Sequence, residues 1–222
     1  MSRQKLTLAG LGLLTLGALA FLSWAALRPV TSSVAEVTPP PAASTQPSTL
    51  PAATMTDSII ATDLLTMTLP EGWQWTTQPW GDWQSGGNPQ IAPLALAWPI
   101  GSSFEESATR FSIAAMPRYA LSLEQYMLDV AGALSDTTGV AAVNARLVTD
   151  LRSDGLPTAL IRYVTQSPAG EMIGYQAATF DDTGTKLLIA TLVHQPDLPD
   201  GERLFRTLVS SLHLPTSDAT GE

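Results

Sequence analysis

The sequence predicts an α+β fold: an antiparallel β-sheet of about six or seven strands flanked by helices, preceded by one amino-terminal transmembrane helix. Three observations predict it: an uncharged apolar run at the amino terminus, a series of β-rich segments separated by short turns, and two helical patterns among those segments. With 222 residues, of which 45% are hydrophobic, the chain has room for one ordinary domain and its appendages.

The amino-terminal apolar run is Leu6–Leu27, which contains no charge and follows Arg3 and Lys5. At about 1.5 Å per residue it reaches roughly 33 Å, enough to span a hydrocarbon core of about 30 Å. The positive flank at residues 1–5 predicts a signal anchor, with that flank in the cytoplasm and the carboxyl-terminal domain outside it.

The alternative for this segment is a cleaved signal peptide, in which Ala18-Leu19-Ala20 supplies the small-x-small cleavage signal. The apolar run continues beyond that point to Leu27, and Trp24 near its end is typical of an interfacial anchor. We therefore expect single-pass attachment to the cell membrane, whereas cleavage would leave a secreted or periplasmic protein.

Residues 28–56 are rich in Pro, Ala, Ser and Thr and lack apolar periodicity, so they cannot bury enough surface to offset the entropy of ordering. They predict a disordered linker. The polar residues 215–222 predict a flexible tail. Residues 57–214 between them are expected to form the α+β domain.

The strands of this domain are predicted from β-rich runs bounded by Gly, Pro and Asp. The run 62–70 opens a strand that Pro70 and Gly72 terminate, and the later runs are 91–99, 108–117, 144–155, 157–168, 170–182 and 185–195. Short turns between the later runs favour antiparallel neighbours. Arg162 and Lys186 lie within otherwise apolar runs, which predicts one partly wet face or edge.

Two helices are predicted from apolar residues at helical spacing. Ser122 and Gln125 form a capping-box pattern, and Pro199 suits the first turn of the second helix. The expected buried faces are Leu123, Tyr126, Met127, Val130, Ala131 and Leu134 in the first helix, and Leu204, Phe205, Leu208, Val209 and Leu212 in the second.

These landmarks resemble a known family. Leu69-Pro70-Glu71-Gly72-Trp73 after a short strand resembles the opening of the PsbP-like superfamily, which includes the photosystem II subunit PsbP and the bacterial DcrB-like proteins. The Ser122–Tyr126 helix start, the Asp154–Ala159 turn into a strand and the Phe205–Leu214 ending are similar as well. The resemblance covers about residues 63–214.

The resemblance implies an α/β/α sandwich and a mostly non-catalytic accessory role, either assisting membrane complexes or chaperoning hydrophobic segments of a client. It carries over no functional residue, because no position matches a photosystem-binding or metal-binding residue of the family. The basic surface of the photosynthetic subunit is also missing, since Lys186 is the one lysine beyond the apolar run.

Composition excludes several classes of site and partner. The chain has no cysteine, so disulfides and thiolate chemistry are excluded. Beyond Pro29 there are eight basic and twenty acidic residues, a balance of −12, which disfavours nucleic acid and anionic lipid headgroups as partners. No Gly-rich phosphate loop is found, so no nucleotide or other cofactor is expected.

No catalytic or metal site is predicted. A triad of Ser210 or Ser211 with His213 lacks a nucleophile elbow, and His194 stands alone at a strand end. The pairs Glu105-Glu106 and Asp181-Asp182 could bind a weak Ca²⁺ or serve a hydrolase. Their contexts are more typical of a helical cap at Ser102-Ser103-Phe104-Glu105 and of a hairpin turn ending at Gly184.

Four of the six tryptophans fall between Leu69 and Trp83. Trp73 and Trp75 are two residues apart and are expected to point from one face of an extended segment into the core. Trp80 and Trp83 lie in a loop rich in Gly and Pro. Packing of this loop back onto the domain is the favoured expectation, and if the two side chains are exposed they are the candidate residues for contact with a protein or glycan partner.

The most favoured function is a membrane-anchored extracytoplasmic binding or accessory module that acts near a membrane protein complex and is not an enzyme. One alternative is a chaperone for hydrophobic segments of exported proteins. The other is a hydrolase with an unrecognised carboxylate site.

Overall fold

The computed structural model describes residues 57–77, 92–118, 120–152, 155–167, 170–181 and 183–214. In this part of the chain an antiparallel sheet of seven strands is flanked by two helices, which confirms the expected sheet. The elements are β1 (Ile59–Ala61), β2 (Thr66–Thr68), β3 (Trp73–Thr76), β4 (Ala92–Pro99), β5 (Thr109–Pro117), α1 (Leu123–Ser135), β6 (Val140–Val148), β7 (Thr158–Ser167), β8 (Gly170–Phe180), β9 (Lys186–His194) and α2 (Gly201–Ser210).

The strand order in the large sheet is β3-β4-β5-β9-β8-β7-β6, while β1 and β2 pair separately. The predicted anchor Leu6–Leu27, the linker 28–56 and the tail 215–222 lie outside the described residues. Within the described ranges, no helix is long and apolar enough to cross a membrane.

Side chains alternate across the central strands and build a core on each face of the sheet. On one face, residues such as Phe111 and Leu192 pack with Phe205 of α2 and with the β1–β2 pair. On the other face, residues such as Ile161 and Ile189 pack with α1. The central strands therefore supply apolar side chains to both faces of the sheet, and each helix covers one face.

Helix α1 matches its predicted face, but only half of its capping box forms. The Ser122 hydroxyl accepts a hydrogen bond of 3.1 Å from the Gln125 N–H, as expected. The Gln125 side chain instead donates to Asp129 Oδ1 at 2.7 Å. Asp129 lies one turn further along the helix and offers a charged acceptor, which makes the stronger hydrogen bond.

Helix α2 begins at Gly201, so the prediction that Pro199 lies in its first turn is wrong. Asp200 between them has φ 57°, a left-handed conformation that interrupts the helical path. The predicted stripe is otherwise confirmed, since Phe205, Leu208, Val209 and Leu212 are buried.

Two strand positions differ from the sequence prediction. The run 62–70 contributes only β2, and β2 pairs with β1 outside the large sheet. Strand β6 occupies Val140–Val148, so it begins four residues before the predicted run 144–155 and ends within it. The segment Val140-Ala141-Ala142-Val143 has no apolar and polar alternation, which explains why periodicity missed its start.

The β8–β9 connection is a tight turn, as its sequence predicts. Gly184 has φ 65° and donates a backbone hydrogen bond to the Asp181 carbonyl. The Asp181 carboxylate accepts from the Lys186 N–H at 2.9 Å and from the Thr183 and Thr185 hydroxyls. Burial alone would raise the pKa of Asp181, but these hydrogen bonds outweigh it and hold the pKa below its ordinary value.

We predict that Gly201→Ala lowers the free energy of unfolding by about 1–3 kcal/mol, because a Cβ at this position would overlap the buried His194 imidazole. Urea denaturation measures the change. The matched control is Gly132→Ala in α1, where a Cβ meets open space. That substitution should stabilise by about 0.4–1 kcal/mol. A G201A variant as stable as the parent would contradict the overlap.

We predict that Asp181→Ala destabilises the fold by about 1 kcal/mol at pH 7, because the turn loses its carboxylate acceptor. The folded pKa is depressed, so the carboxylate stabilises the fold above its unfolded pKa of about 3.9. This contribution is lost as pH falls through the lower folded pKa. Urea midpoints of parent and variant should therefore converge below about pH 4.

The control for the turn is Asp197→Ala, which removes an exposed carboxylate that forms no hydrogen bond or ion pair within the described part of the chain. This substitution should leave the urea midpoint unchanged at pH 7 and at pH 3. A deficit of D181A that stays constant from pH 7 to pH 3 would contradict the role of the ionised carboxylate.

Candidate functional site

The structure describes two of the four tryptophans near the start of the sheet. Trp73 and Trp75 in β3 are buried against the α2-side core, which confirms their predicted structural role. The candidate contact residues Trp80 and Trp83 lie outside the described residues. Their assignment stays a prediction.

The histidines and serines of the hypothetical triad are engaged in structural contacts. His194 is buried at the end of β9, its Nδ1 donates to the Gln195 carbonyl at 2.6 Å, and its ring stacks on Tyr175. His213 is exposed and its backbone pairs with Thr66. The Ser211 hydroxyl bonds the backbone of β2. These side chains do not converge on a reactive centre.

The two carboxylate pairs belong to different ends of the sheet. Glu105 and Glu106 precede β5 beside the end of β9, whereas Asp181 precedes the start of β9. The nine residues of β9 put roughly 27 Å between the two ends. The cap in the Glu105 segment is Ser103, which accepts from the Glu106 N–H and donates to its carboxylate. Asp182 lies outside the described residues.

No group of three or more His, Asp or Glu side chains that could hold a metal ion occurs within the residues that the structure describes. The segment that contains Glu105 and Glu106 is instead held in place by aromatic packing. Phe104 packs edge-on against Trp98 with ring centroids 5.7 Å apart, and the Trp98 indole N–H donates to the Ser102 carbonyl at 2.8 Å.

Sequence reasoning missed a layer of buried polar side chains on the α1 face. We call this set the polar layer: Arg110 and Ser112 of β5, Thr191 of β9, Gln176 of β8, and Tyr163 of β7. Tyr126 of α1 adds its hydroxyl, which donates to Gln176 Oε1 at 3.4 Å. Arg110 and Ser112 alternate with the apolar Phe111 and Ile113, and this alternation was the signal that could have found the layer.

Arg110 and Tyr163 occupy one row across the sheet. Arg110 pairs with Val193, Val193 with Gly174, and Gly174 with Tyr163. A Cβ at Gly174 would overlap the far end of the Tyr163 ring, so this ring lies across β8 at the glycine. Tyr163 therefore extends its hydroxyl from β7 toward the strands that carry Val193 and Arg110.

The electrostatics of this row are unusual for a protein interior. Burial lowers the pKa of Arg110, and the nearby Tyr163 and Glu105 only partly oppose that effect. Burial also raises the pKa of Tyr163, so its phenol keeps its proton and remains a donor. Arg110 Nε and the Tyr163 hydroxyl have no hydrogen-bond partner among the described residues.

An exposed feature of the sheet is the outer side of β6, which we call the outer edge. Strand β6 ends the sheet, pairs only with β7 in the described part of the chain, and spans nine residues, whereas the opposite edge β3 spans four. Leu147 is 45% exposed. Arg146 is the single charge of the strand, and it already pairs with Glu202 of α2 at 3.4 Å.

No family model matches this chain, and no curated protein matches its sequence. A solved structure from Bacteroides thetaiotaomicron VPI-5482 is similar with a TM-score of 0.43 and 12% sequence identity. The match covers 73% of this chain and 50% of that one, so the chain spans half the length of the structure it matches. A likeness at this level carries no argument about family or function.

Proposed function

We propose that this protein is a membrane-anchored extracytoplasmic binding or accessory module, without enzymatic activity, that docks an extended segment of a membrane-associated partner on its outer edge. The observation that carries the proposal is the long and lightly charged edge strand β6. Within the described part of the chain its outer backbone groups have no strand partner, so they can accept another strand, since exposed edges of this kind are templates for β-addition.

The chemistry of the outer edge favours an extended segment with small or apolar side chains. Ala141, Ala142 and Leu147 are exposed along β6, and its one charge is already paired. Backbone hydrogen bonds would supply affinity, and the alternating side chains beside the docked strand would supply specificity.

A different protein fits this edge better than a second copy of the chain. The register of β6 against β7 shifts between Val140 and Ala142. Two-fold pairing of two copies would place this irregularity at both ends of the new ladder, whereas a foreign segment meets it once. The net charge of −9 also makes copies of the chain repel each other.

The remaining parts of the proposal come from the sequence. Residues 6–27 would anchor the protein, the linker 28–56 would let the domain reach along the membrane surface, and the domain would have the PsbP-like α/β/α arrangement. The antiparallel sheet with a helix packed on each face supports that arrangement.

We predict that a photo-cross-linking amino acid at Asn144, on exposed β6, forms an adduct with one partner in the membrane that carries the full chain. The same reagent at Ile100, which is exposed just after β4 near the opposite edge of the sheet, should form none. Leu147→Lys should reduce the Asn144 adduct about tenfold, because a charge on the edge must be desolvated on strand addition. Adduct yield on denaturing gels is the measurement.

The control substitution is Ile100→Lys, which adds the same charge at an equally exposed apolar position and should leave the adduct unchanged. In the isolated complex, the β6 amides should exchange at least tenfold more slowly than in the free protein. Unchanged exchange, or equal adducts from both positions, would overturn docking at the edge. An adduct of two copies would instead assign the edge to self-association, and adducts with many exported chains would favour the chaperone function.

A further inference from the structure

The polar layer contains a charge that the described protein does not neutralise. The Arg110 side chain is only 9% exposed, yet it forms no ion pair within the described ranges, and its Nε has no hydrogen-bond partner there. A buried charge without a partner costs several kcal/mol in the folded state. A fold retains such a group when something else pairs with it, or when its charge has a use.

The unpartnered groups cluster at one end of the α1 face. Five buried side-chain polar atoms of the described residues lack a partner, and three of them belong to Arg110, Tyr163 and Thr165. Thr165 lies two residues from Tyr163 on the same face of β7. The guanidinium only donates, whereas the hydroxyls of Tyr163 and Thr165 each donate one hydrogen bond and can accept others, so no group at this end of the layer is an anionic acceptor for the guanidinium.

The charge balance of this end selects the class of ligand. One guanidinium neutralises one negative charge, and Tyr163 and Thr165 add only neutral groups. Glu105 is the carboxylate whose charge acts on Arg110. A doubly charged phosphate would remain under-neutralised in an acidic chain with a net charge of −9. A carboxylate carries one charge, and its two oxygens match the parallel N–H bonds of an arginine side chain.

We propose that Arg110 and Tyr163 form a binding site for a single carboxylate group. In the structure Arg110 Nε and the Tyr163 hydroxyl are closed to solvent, so the carboxylate enters when the side chains at this end of the layer move apart. The Arg110 Nε–H and one Nη–H then donate to the two carboxylate oxygens, and the Tyr163 hydroxyl donates to one of them. This site lies on the α1 face of the sheet and is separate from the outer edge, so it goes beyond the proposed docking function.

Glu105 is the internal competitor for the same role. It lies in the segment just before β5 and is exposed, with no ion pair to Arg110 in the structure. If Glu105 swung in to pair with Arg110, it would occupy the site permanently. If the site is open to ligands, Glu105 only weakens anion binding by like-charge repulsion, and Glu105→Gln should strengthen binding.

The test uses the full chain in detergent micelles, with ¹⁵N-labelled arginine and titrations of sodium benzoate, sodium acetate and inorganic phosphate at constant ionic strength. We expect benzoate and acetate to shift the Arg110 Nε–Hε resonance in a saturable way and to raise Tm. Phosphate should bind at least tenfold more weakly. A short peptide with a free carboxyl terminus, compared with its amide, determines whether a chain terminus can also supply the carboxylate.

Arg110→Met should abolish the rise in Tm, and it folds without a buried charge. Tyr163→Phe should weaken benzoate binding several-fold. Arg203→Met is the matched control, because Arg203 is exposed, pairs with Asp200 and should not affect the titration. Leu147→Lys should likewise leave carboxylate binding intact, so failure of edge docking and failure of this site are distinguishable.

Three results would overturn the proposal. One is the absence of saturable carboxylate binding up to about 50 mM. A dissociation constant of that size corresponds to a binding free energy of roughly −2 kcal/mol. The second is an equal response to phosphate and carboxylates. The third is destabilisation by Glu105→Gln without a gain in benzoate affinity, which would make Glu105 the resident partner of Arg110.

Discussion

Pairing between β5 and β9 is the interaction on which the rest of the structure depends. Nine residue pairs, from Thr109 with His194 to Pro117 with Lys186, join the strands of the first half of the domain to those of the second. Both strands supply apolar side chains to each face, and each face receives its own helix. Without this pairing neither the α1-side nor the α2-side core would be complete, since each draws on strands from both halves.

The two faces of this central pair differ in chemistry. On the α2 face, aromatic rings from the sheet and the helix stack in series, with Tyr175 5.6 Å from Phe205 and 5.8 Å from His194 between ring centroids. On the α1 face, one end is apolar and the other carries the polar layer. The packing on the α2 face stabilises the fold, whereas the buried charge at the polar end of the α1 face lowers its stability.

Most of the fold could be predicted from the sequence because its elements have strong local signals. The strands β7, β8 and β9 lie within their predicted runs, and α1 buries all of its predicted residues except Ala131, which is half-buried. Pro199 and the start of β6 could not be predicted, because a left-handed Asp200 and a run of alanines leave no periodic signal. Arg110 was missed for another reason: its neighbours in the row come from three other strands, and only the register of the sheet brings them together.

The position of β9 in the strand order also determines how the domain can fold. Strand β5 lies early in the domain, but its partner β9 is the last of the described strands to be synthesised. Loop closure over so many residues carries an entropic cost before any contact repays it, and folds dominated by such pairings fold in milliseconds to seconds. Until β9 has been synthesised, β5 has an unpaired apolar edge. The partly synthesised chain is therefore the state most prone to misassembly.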